Sequence, residues 1–504
     1  MIVEKLLVNE EQQLLHLIEY VLTHGGQADK KSLREVLQIA PATFRRLLYL
    51  LQSHFQEVLL CELSSNTIII TFLPNQSFGK LKRRLIQQSI SHRILLELLQ
   101  NPGVTLRQLH EKLFISESSV RRYIKRINLL IEPLFLEIKK CRLQGSEHQV
   151  RAFYLAYFEY VYGLFEGIFP YNREIEVFVQ ELIGQINDRN SLPIRHYHEQ
   201  KIRLLCYISA YRVKDANPLG PKILKLIPDF YPYPPFSGIP DAVVPDYLRT
   251  ELEREIFTIF LFALPLIPVE SSLYQDFYRH QAQSQTLLFQ ISCYGEKLFE
   301  VFTREMTESP VYQDIQMMLF DLHISGIIFP LNQYTALPEM NRPNQEITSY
   351  REAYRDFRDD CIAKMNQYIE DFELRAFNYH YLRERYDLLV VRMNEAVYQR
   401  VTVGFYSELS YSSACFSFDY FRQRLSFHPA LYFVNLGEEQ AACDILLTSD
   451  SQFAERQRDQ YQEVFVFNED NRVTEVMTAH QWLHNFLYKQ HMKRLLPKKT
   501  LVST

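Results

Sequence analysis

Apolar positions fall into short helical stripes at the front of the chain, aromatic-rich stripes in the middle and compact runs at the end. Thr105 to Leu130 reads TLRQLHEKLFISESSVRRYIKRINLL. Leu106, Leu109 and Leu113 recur at helical spacing and predict a short helix with one buried stripe. Phe114-Ile115-Ser116 interrupts it, and Ser116 suits the N-cap of a second helix because its hydroxyl can accept an orphan amide. At about 100° per residue, Val120, Ile124, Ile127 and Ile131 share one arc of that helix. Ser118, Arg122 and Lys125 lie opposite, flanked by Ser119, Arg121 and Arg126. Phe135 to Gly145, FLEIKKCRLQG, then alternates and predicts a two-stranded wing.

An upstream segment repeats the plan. Ser32 to Ile39 predicts a short helix, and Pro41 can open the next, where a missing N–H costs nothing. Phe44, Leu47, Leu48 and Leu51 form its buried stripe, with Thr43, Arg45, Arg46 and Tyr49 facing outward. Val58–Leu63 and Thr67–Leu73 flank Ser64-Ser65-Asn66 as a hairpin. Pro74 to Arg84 is polar and then basic, and reads as a linker.

Further on, helices are expected at Ala152–Phe169, Ile175–Ile186, Gln200–Val213 and Tyr247–Leu264, with proline-rich breaks at Asn217–Pro221 and Pro228–Pro240. A second set follows at Gln283–Thr307, Ser309–Leu322 and Thr348–Asn378, separated from the first near Pro265–Tyr278. After residue 400 strands are expected at Val401–Tyr406, Ala430–Val434, Asp444–Thr448 and Glu463–Phe467, alternating with helices at Ser412–Leu425 and Val473–Leu495. That alternation predicts a small parallel sheet. The fold class is mainly α and multidomain, ending in a small α/β domain.

Charge sharpens this picture. Residues 1–150 hold 20 Lys and Arg against 14 Asp and Glu, although the whole chain has a formal charge of −5. Between Lys80 and Arg142 there are 14 basic residues and five acidic ones. A basic segment joined to an acidic body suits a nucleic-acid-binding module with a separate body. Arg121, Arg122, Lys125 and Arg126, with Ser118 and Ser119, are placed to meet the major groove, since Arg bonds guanine edges bidentately and Ser or Lys holds phosphates. Lys139, Lys140 and Arg142 on the wing would lie along the backbone, and Thr43, Arg45 and Arg46 would make a second contact.

Other chemistries fit poorly. The chain has 14 glycines in 504 residues, which argues against a glycine-rich nucleotide-binding enzyme. Its seven cysteines are at least 28 positions apart, so they form no zinc pair and read as reduced thiols. His480 and His484 sit in HQWLH without an intervening acid, so no metal site is expected. Asp356–Asp360 and Glu370–Glu373 alternate with Arg351, Arg355 and Arg358 as helix-surface ion pairs rather than paired catalytic carboxylates. MIVEKLLVNEEQQ lacks the pattern of a signal peptide, and Ile256 to Val269 is too short and proline-broken to cross a bilayer. The expectation is a cytoplasmic protein that is neither an enzyme nor a cofactor binder and has no membrane partner.

The tandem helix-turn-helix front, the ISESSVRRYIKRIN segment and the closing LQGSEHQVRAFYLAYF resemble Mga/AtxA-type virulence regulators of Gram-positive bacteria. Gly145, Glu147 and Arg151 look like that family's exit into its helical body. The resemblance implies winged helix-turn-helix domains at 1–75 and 76–150. It implies two helical phosphotransferase-system regulation domains (PRDs) at 151–275 and 276–395, and an enzyme-IIB-like α/β domain at 396–504. It also implies a transcription activator that binds double-stranded DNA and forms a homodimer through its C-terminal domain. Histidine phosphorylation by a phosphotransferase-system phosphocarrier is implied too, for which His196, His198, His280 and His323 are the candidates, with His380 a further one. The loop after the first C-terminal strand, Ser407 to Ser412, lacks the phosphate-carrying cysteine of enzyme IIB, and Cys415 falls in the following helix. The alternative is a PRD-containing RNA-binding antiterminator, which would carry a small β-rich front instead.

Overall fold

The computed structural model describes residues 3–163, 167–189, 193–213, 239–240, 242–264, 266–269, 271–300, 310–329, 355–374, 376–397, 400–426, 430–438, 441–469 and 472–495. The described residues are mainly helical, and the chain divides into two compact units. One comprises Met1–Leu288 with His323–Asn341, the other Phe289–Leu322 with Arg342–Thr504.

The first unit opens with a winged helix: α1 (Asn9–Thr23), β1 (Gln27–Asp29), α2 (Lys30–Val36), α3 (Pro41–His54), β2 (Leu59–Leu63) and β3 (Thr67–Phe72). The sheet order is β1-β3-β2 and both pairings are antiparallel. Pro41 begins α3 as expected, and Phe44, Leu47, Leu48 and Leu51 are its buried face. Helix α2 stops at Val36, short of the expected Ile39. Gln38 turns to φ 53°, and the Ile39 amide returns to the Arg34 carbonyl at 3.1 Å, which is a Schellman closure with glutamine where glycine is usual.

The supposed linker is a helix. Ser77 accepts from the Lys80 amide at 3.3 Å and starts α4 (Phe78–Gln88), whose Leu81, Leu85 and Ile86 are buried. Ser89 closes α4 and caps α5 (Ile90–Gln100) by accepting from the His92 amide at 3.2 Å. Then come α6 (Leu106–Leu113), α7 (Glu117–Ile131), the hairpin β4 (Glu137–Lys139) and β5 (Arg142–Gln144), and α8 (Glu147–Tyr162).

Helix α8 leads from the second helix-turn-helix and its wing into the bundle of α9 (Arg173–Asp188), α10 (His196–Arg212), α11 (Glu251–Ala263) and α12 (Ser272–Ser284). Four charged residues are buried where α8, α10 and α11 meet. Arg151 bonds Glu147 at 2.9 Å and takes both oxygens of Glu253 at 2.6 and 2.8 Å. Arg212 bonds the two oxygens of Glu147 at 3.2 and 2.9 Å. The quartet is formally neutral and its chain of contacts alternates in sign, so each charge gains a partner in exchange for its lost hydration. Nearby, His92 of α5 contacts the hydroxyls of Tyr157 at 3.0 Å and Tyr162 at 2.8 Å on α8.

The expected boundaries at 150/151 and 275/276 fall inside α8 and α12. The expected helix Gln283–Thr307 is two, because Gln285 takes φ 50° between α12 and α13 (Leu287–Leu298). Helix α14 (Pro310–Ile328) extends beyond the expected Leu322. In place of one long Thr348–Asn378 helix, the described part is α15 (Arg355–Glu370), followed by α16 (Tyr379–Val397). Residues 301–309 and 330–354, and the proline-rich breaks at 217–221 and 228–238, lie outside the described residues.

In the second unit, Arg358 of α15 is buried against Asp387 of α16 at 2.9 Å. Beyond them lies an α/β layer: β6 (Val401–Tyr406), α17 (Tyr411–Leu425), β7 (Leu431–Asn435), β8 (Ile445–Thr448), α18 (Ser451–Gln457), β9 (Glu463–Val466) and α19 (Arg472–Leu495). The sheet is parallel throughout, in the order β7-β6-β8-β9. Phe405, Phe421, Phe467, Leu483 and Leu487 pack its helices against it. Among the described residues no helix is long and apolar enough to cross a membrane.

Two predictions follow from the buried groups. Glu253→Gln removes one carboxylate charge from the quartet and leaves Arg151 undercompensated; a loss of about 3 kcal/mol in urea unfolding is expected. A loss below about 0.5 kcal/mol would show that the pairing does not hold the bundle. Burial also pushes His92 and His148 down to about 4 and His323 to about 3. Their folded pKa values lie below the unfolded value, so this stability is complete above about pH 6.5 and is lost as pH falls toward 4. His92→Gln is therefore expected to flatten the fall in urea midpoint between pH 7 and pH 5. An unchanged slope would sink that assignment.

Candidate nucleic-acid interface

The recognition element is built by local capping. Thr105 starts α6 with a reciprocal box: its hydroxyl accepts from the Gln108 amide at 3.2 Å, and Gln108 accepts from the Thr105 amide at 2.8 Å. Leu109 and Leu113 are buried, and Phe114 makes the turn at φ 56° and ψ 37°. Ser116 then caps α7 by accepting from the Ser119 amide at 3.2 Å. Its hydroxyl also meets those of Ser118 at 2.9 Å and Ser119 at 3.0 Å, so these serines form one cluster at the start of the helix.

Val120, Ile127 and Ile131 are the buried face of α7, with Ile124 half-buried. Ser118, Arg121, Arg122 and Lys125 are exposed on the remaining surface, and Ser119 is half-buried. Arg121 is held loosely, 3.9 Å from Glu117 one turn earlier. Arg126 departs from expectation. Its guanidinium turns to the N-terminal segment, donating to the Lys5 carbonyl at 3.0 Å and to the Leu7 carbonyl, so in this arrangement it ties two segments together rather than facing a groove.

The wing is fixed to the same helix. The Asn128 side chain donates to the Ile138 carbonyl at 3.0 Å and accepts from the Ile138 amide at 2.7 Å. Ile138 and Leu143 face inward, while Lys139, Lys140 and Arg142 are exposed. Lys140 and Cys141 make the hairpin turn at φ 50° and 55°, the two positive values a type I′ turn demands. Gly145 closes the wing where a Cβ would lie 2.5 Å from Leu136 Cδ2 and 3.1 Å from the Phe135 carbonyl oxygen. The exposed cations of α7 and of the wing thus sit on one winged-helix framework.

The first winged helix is less open. Arg45 is exposed, Thr43 is half-buried, and Arg46 is paired with Glu10 of α1 at 2.5 Å. A phosphate would have to displace that carboxylate to use Arg46.

The candidate phosphorylation residues separate by accessibility. His196 is exposed in the first turn of α10, 3.7 Å from Glu199. His198 and His280 are half-buried. His323 is fully buried, and burial pushes its pKa down to about 3. Cys415 lies within α17 as expected, with its thiol 3.2 Å from Glu438. Among the described residues no group of three His, Cys, Asp or Glu side chains could hold a metal ion.

Two contributors carried no clear sequence signal. Asn128 reads as a polar position beside an apolar stripe, and only the hairpin's return shows that it clamps the wing. His92 is a histidine on an apolar helix face whose partners lie 65 and 70 positions away.

Comparison with known proteins agrees with this geometry. Residues 74–158 match the Mga helix-turn-helix domain, a span running from just before α4 into α8. The chain is also similar to a Streptococcus pneumoniae serotype 4 protein named "Putative trans-acting regulator", at 19% identity over 385 residues, which cover 73% of this chain and 75% of that protein. With a capped helix and a wing clamped to it inside the matched span, the chain carries an Mga-type helix-turn-helix domain and is similar to a protein named as a trans-acting regulator, which supports a DNA-binding transcription regulator.

Proposed function

We propose that this protein activates transcription by binding duplex DNA through α7 in the major groove, with the wing along the adjacent phosphates. The observation that carries this reading is the exposed trio Arg121, Arg122 and Lys125 opposite the buried Val120–Ile127–Ile131 stripe, on the helix to which Asn128 fastens the wing. Arginine can read guanine O6 and N7 bidentately, and lysine adds a phosphate or base contact. Lys139, Lys140 and Arg142 supply the sequence-independent part. Arg45 of the first winged helix adds a further cation.

Duplex DNA is the partner, and a homodimer formed through the C-terminal α/β layer presents two such surfaces. Two linked half-sites raise the effective affinity without new contacts. The C-terminal layer is read as enzyme-IIB-like without phosphotransfer, because its Ser407–Ser412 loop has no cysteine. The helical body is read as a pair of PRDs that tune self-association, with His196 and His380 the exposed ones among the named histidines. A phosphate on His196 would add about two negative charges next to Glu199 and favour a rearrangement toward arginine. The regulated genes are read as virulence or carbohydrate-linked ones.

The test is a mobility shift with duplex DNA from upstream of the protein's own gene, with hairpin RNA as competitor. Arg122→Ala/Lys125→Ala is expected to weaken duplex binding by about 2 kcal/mol, roughly 30-fold. Unchanged affinity, or RNA displacing duplex, would overturn the reading and favour an antiterminator. In contrast, Lys139→Ala/Lys140→Ala/Arg142→Ala is expected to weaken all duplex sequences alike and to lower the slope of log affinity against log salt by about 2 to 3. A selective loss at one sequence would instead place the wing on base edges.

A further inference from the structure

The first unit holds a cleft of about 320 Å³ that the DNA-binding reading does not use. Clefts of this size take small molecules. Its walls come from two sides. Gln100 and Pro102 belong to the end of α5 and to the turn that leads to Thr105, where α6 starts. Tyr171 and Asn172 precede α9, and Tyr207 and Tyr211 stand on α10. The residue after Tyr211 is Arg212 of the buried quartet. The cleft thus lies where the helical bundle meets the second helix-turn-helix.

Its chemistry is aromatic and neutral. Phe169 lies nearly parallel to the Tyr207 ring at 5.6 Å and to the Tyr211 ring at 5.2 Å, which fixes the attitude of both. The Tyr207 hydroxyl is engaged, accepting from the Asn172 amide at 3.0 Å and donating to Glu176 at 3.1 Å, so its ring is the part a ligand could meet. Tyr171 is 77% exposed, an aromatic ring left in water at the edge of the cleft. Two side-chain amides each have one end engaged. Gln100 donates its nitrogen to the Ile168 carbonyl at 3.2 Å, so its oxygen remains to accept. Asn172 accepts from the Glu174 and Ile175 amides at 3.0 and 3.3 Å, so its nitrogen remains to donate. No Lys, Arg, Asp or Glu is among the described residues that line the cleft.

These properties select a ligand. Tyrosine rings stack on flat π-systems. One oriented acceptor and one oriented donor suit the edge of a heterocyclic base, as they do where asparagine or glutamine meets adenine. A free sugar has a hydroxyl on nearly every carbon and would find too few partners here. A nucleotide would bring phosphate charge into a cleft without a cation. We propose that this cleft binds an uncharged nucleoside, its base against the tyrosines, and that occupancy changes the duplex affinity of the adjoining helix-turn-helix. Coupling to duplex rests on the DNA-binding reading, whereas nucleoside binding stands without it.

Isothermal titration calorimetry of the full chain tests binding in the absence of DNA. Adenosine, inosine and uridine would be titrated, with their monophosphates and glucose alongside. At least one nucleoside is expected to bind, more tightly than its own monophosphate, and glucose is expected not to compete. Tyr171→Ala and Tyr211→Ala are each expected to weaken that binding about tenfold, and Tyr211→Phe to keep it within about twofold. Where Tyr211→Ala does not fold, Tyr171→Ala decides alone, since its ring is exposed. No binding by any nucleoside, a tighter monophosphate, competition by glucose, or affinity unchanged by the alanine variants would overturn the site. Saturating nucleoside added to the duplex mobility shift is expected to change wild-type affinity by at least about fivefold. Duplex binding that ignores the nucleoside overturns the coupling. Absence of duplex binding in every condition removes the DNA-binding reading and the coupling with it, and the calorimetry still decides the site.

Discussion

Four charged side chains without access to water set the terms for the first unit. Glu147 and Arg151 on α8, Arg212 on α10 and Glu253 on α11 form a closed account of charge: two acids, two bases and a bond between each neighbouring pair. An apolar contact tolerates small slides, because dispersion is weakly directional. A bidentate guanidinium–carboxylate pair does not, since both its oxygens and both its nitrogens must align. The quartet therefore fixes the angle at which α8 enters the bundle as well as joining the helices. Because α8 begins one residue after Gly145–Ser146 closes the wing, that angle also governs the DNA-binding element.

The candidate interface is organised by side chains whose hydrogen bonds run to the protein itself. Ser116 begins the recognition helix, Asn128 ties it to the wing and Arg126 ties it to the N-terminal segment. The exposed cations are left to respond to their ligand. A long flexible cation can adjust to a phosphate, whereas the helix that carries it must be held still for its position to mean anything. Rigid support beneath adaptable tips is how a small domain combines register with electrostatic attraction.

How much of this was legible depended on the range of the interaction. The α7 stripe, its Ser116 cap, the Pro41 start and the wing alternation are local patterns, and each stands where the sequence placed it. The basic run Lys80 to Arg84 misled because its charges outweighed the i,i+4 pair Leu81 and Leu85, which marks a helix face. Strand β1 has three residues, too few for alternation to register. Glu147 and Arg151 read as a family exit signal, while Glu253 and Arg212 lie 102 and 65 positions from their partners and carry no local mark. Arg126 could be placed on a helix flank but not assigned to the carbonyls of Lys5 and Leu7, since those belong to a segment more than a hundred residues away. The contacts of Glu469 with Ser407 and Ser417 were hidden for the same reason: two loops and helix α17 meet only because the fold gathers them on one edge of the parallel sheet.

Helix α8 runs for 16 residues without a break, about 24 Å from the foot of the wing into the bundle. A continuous helix resists bending, so it transmits rotation as a rod does, converting a small turn at one end into a displacement at the other. Its far end is gripped by the Tyr157 and Tyr162 hydroxyls on His92, and its near end by the quartet. With both ends held, a rearrangement of the bundle has no joint within α8 at which to dissipate. Seen mechanically, the first unit has an axle between its helical bundle and its wing, and the wing's orientation is the quantity that axle sets.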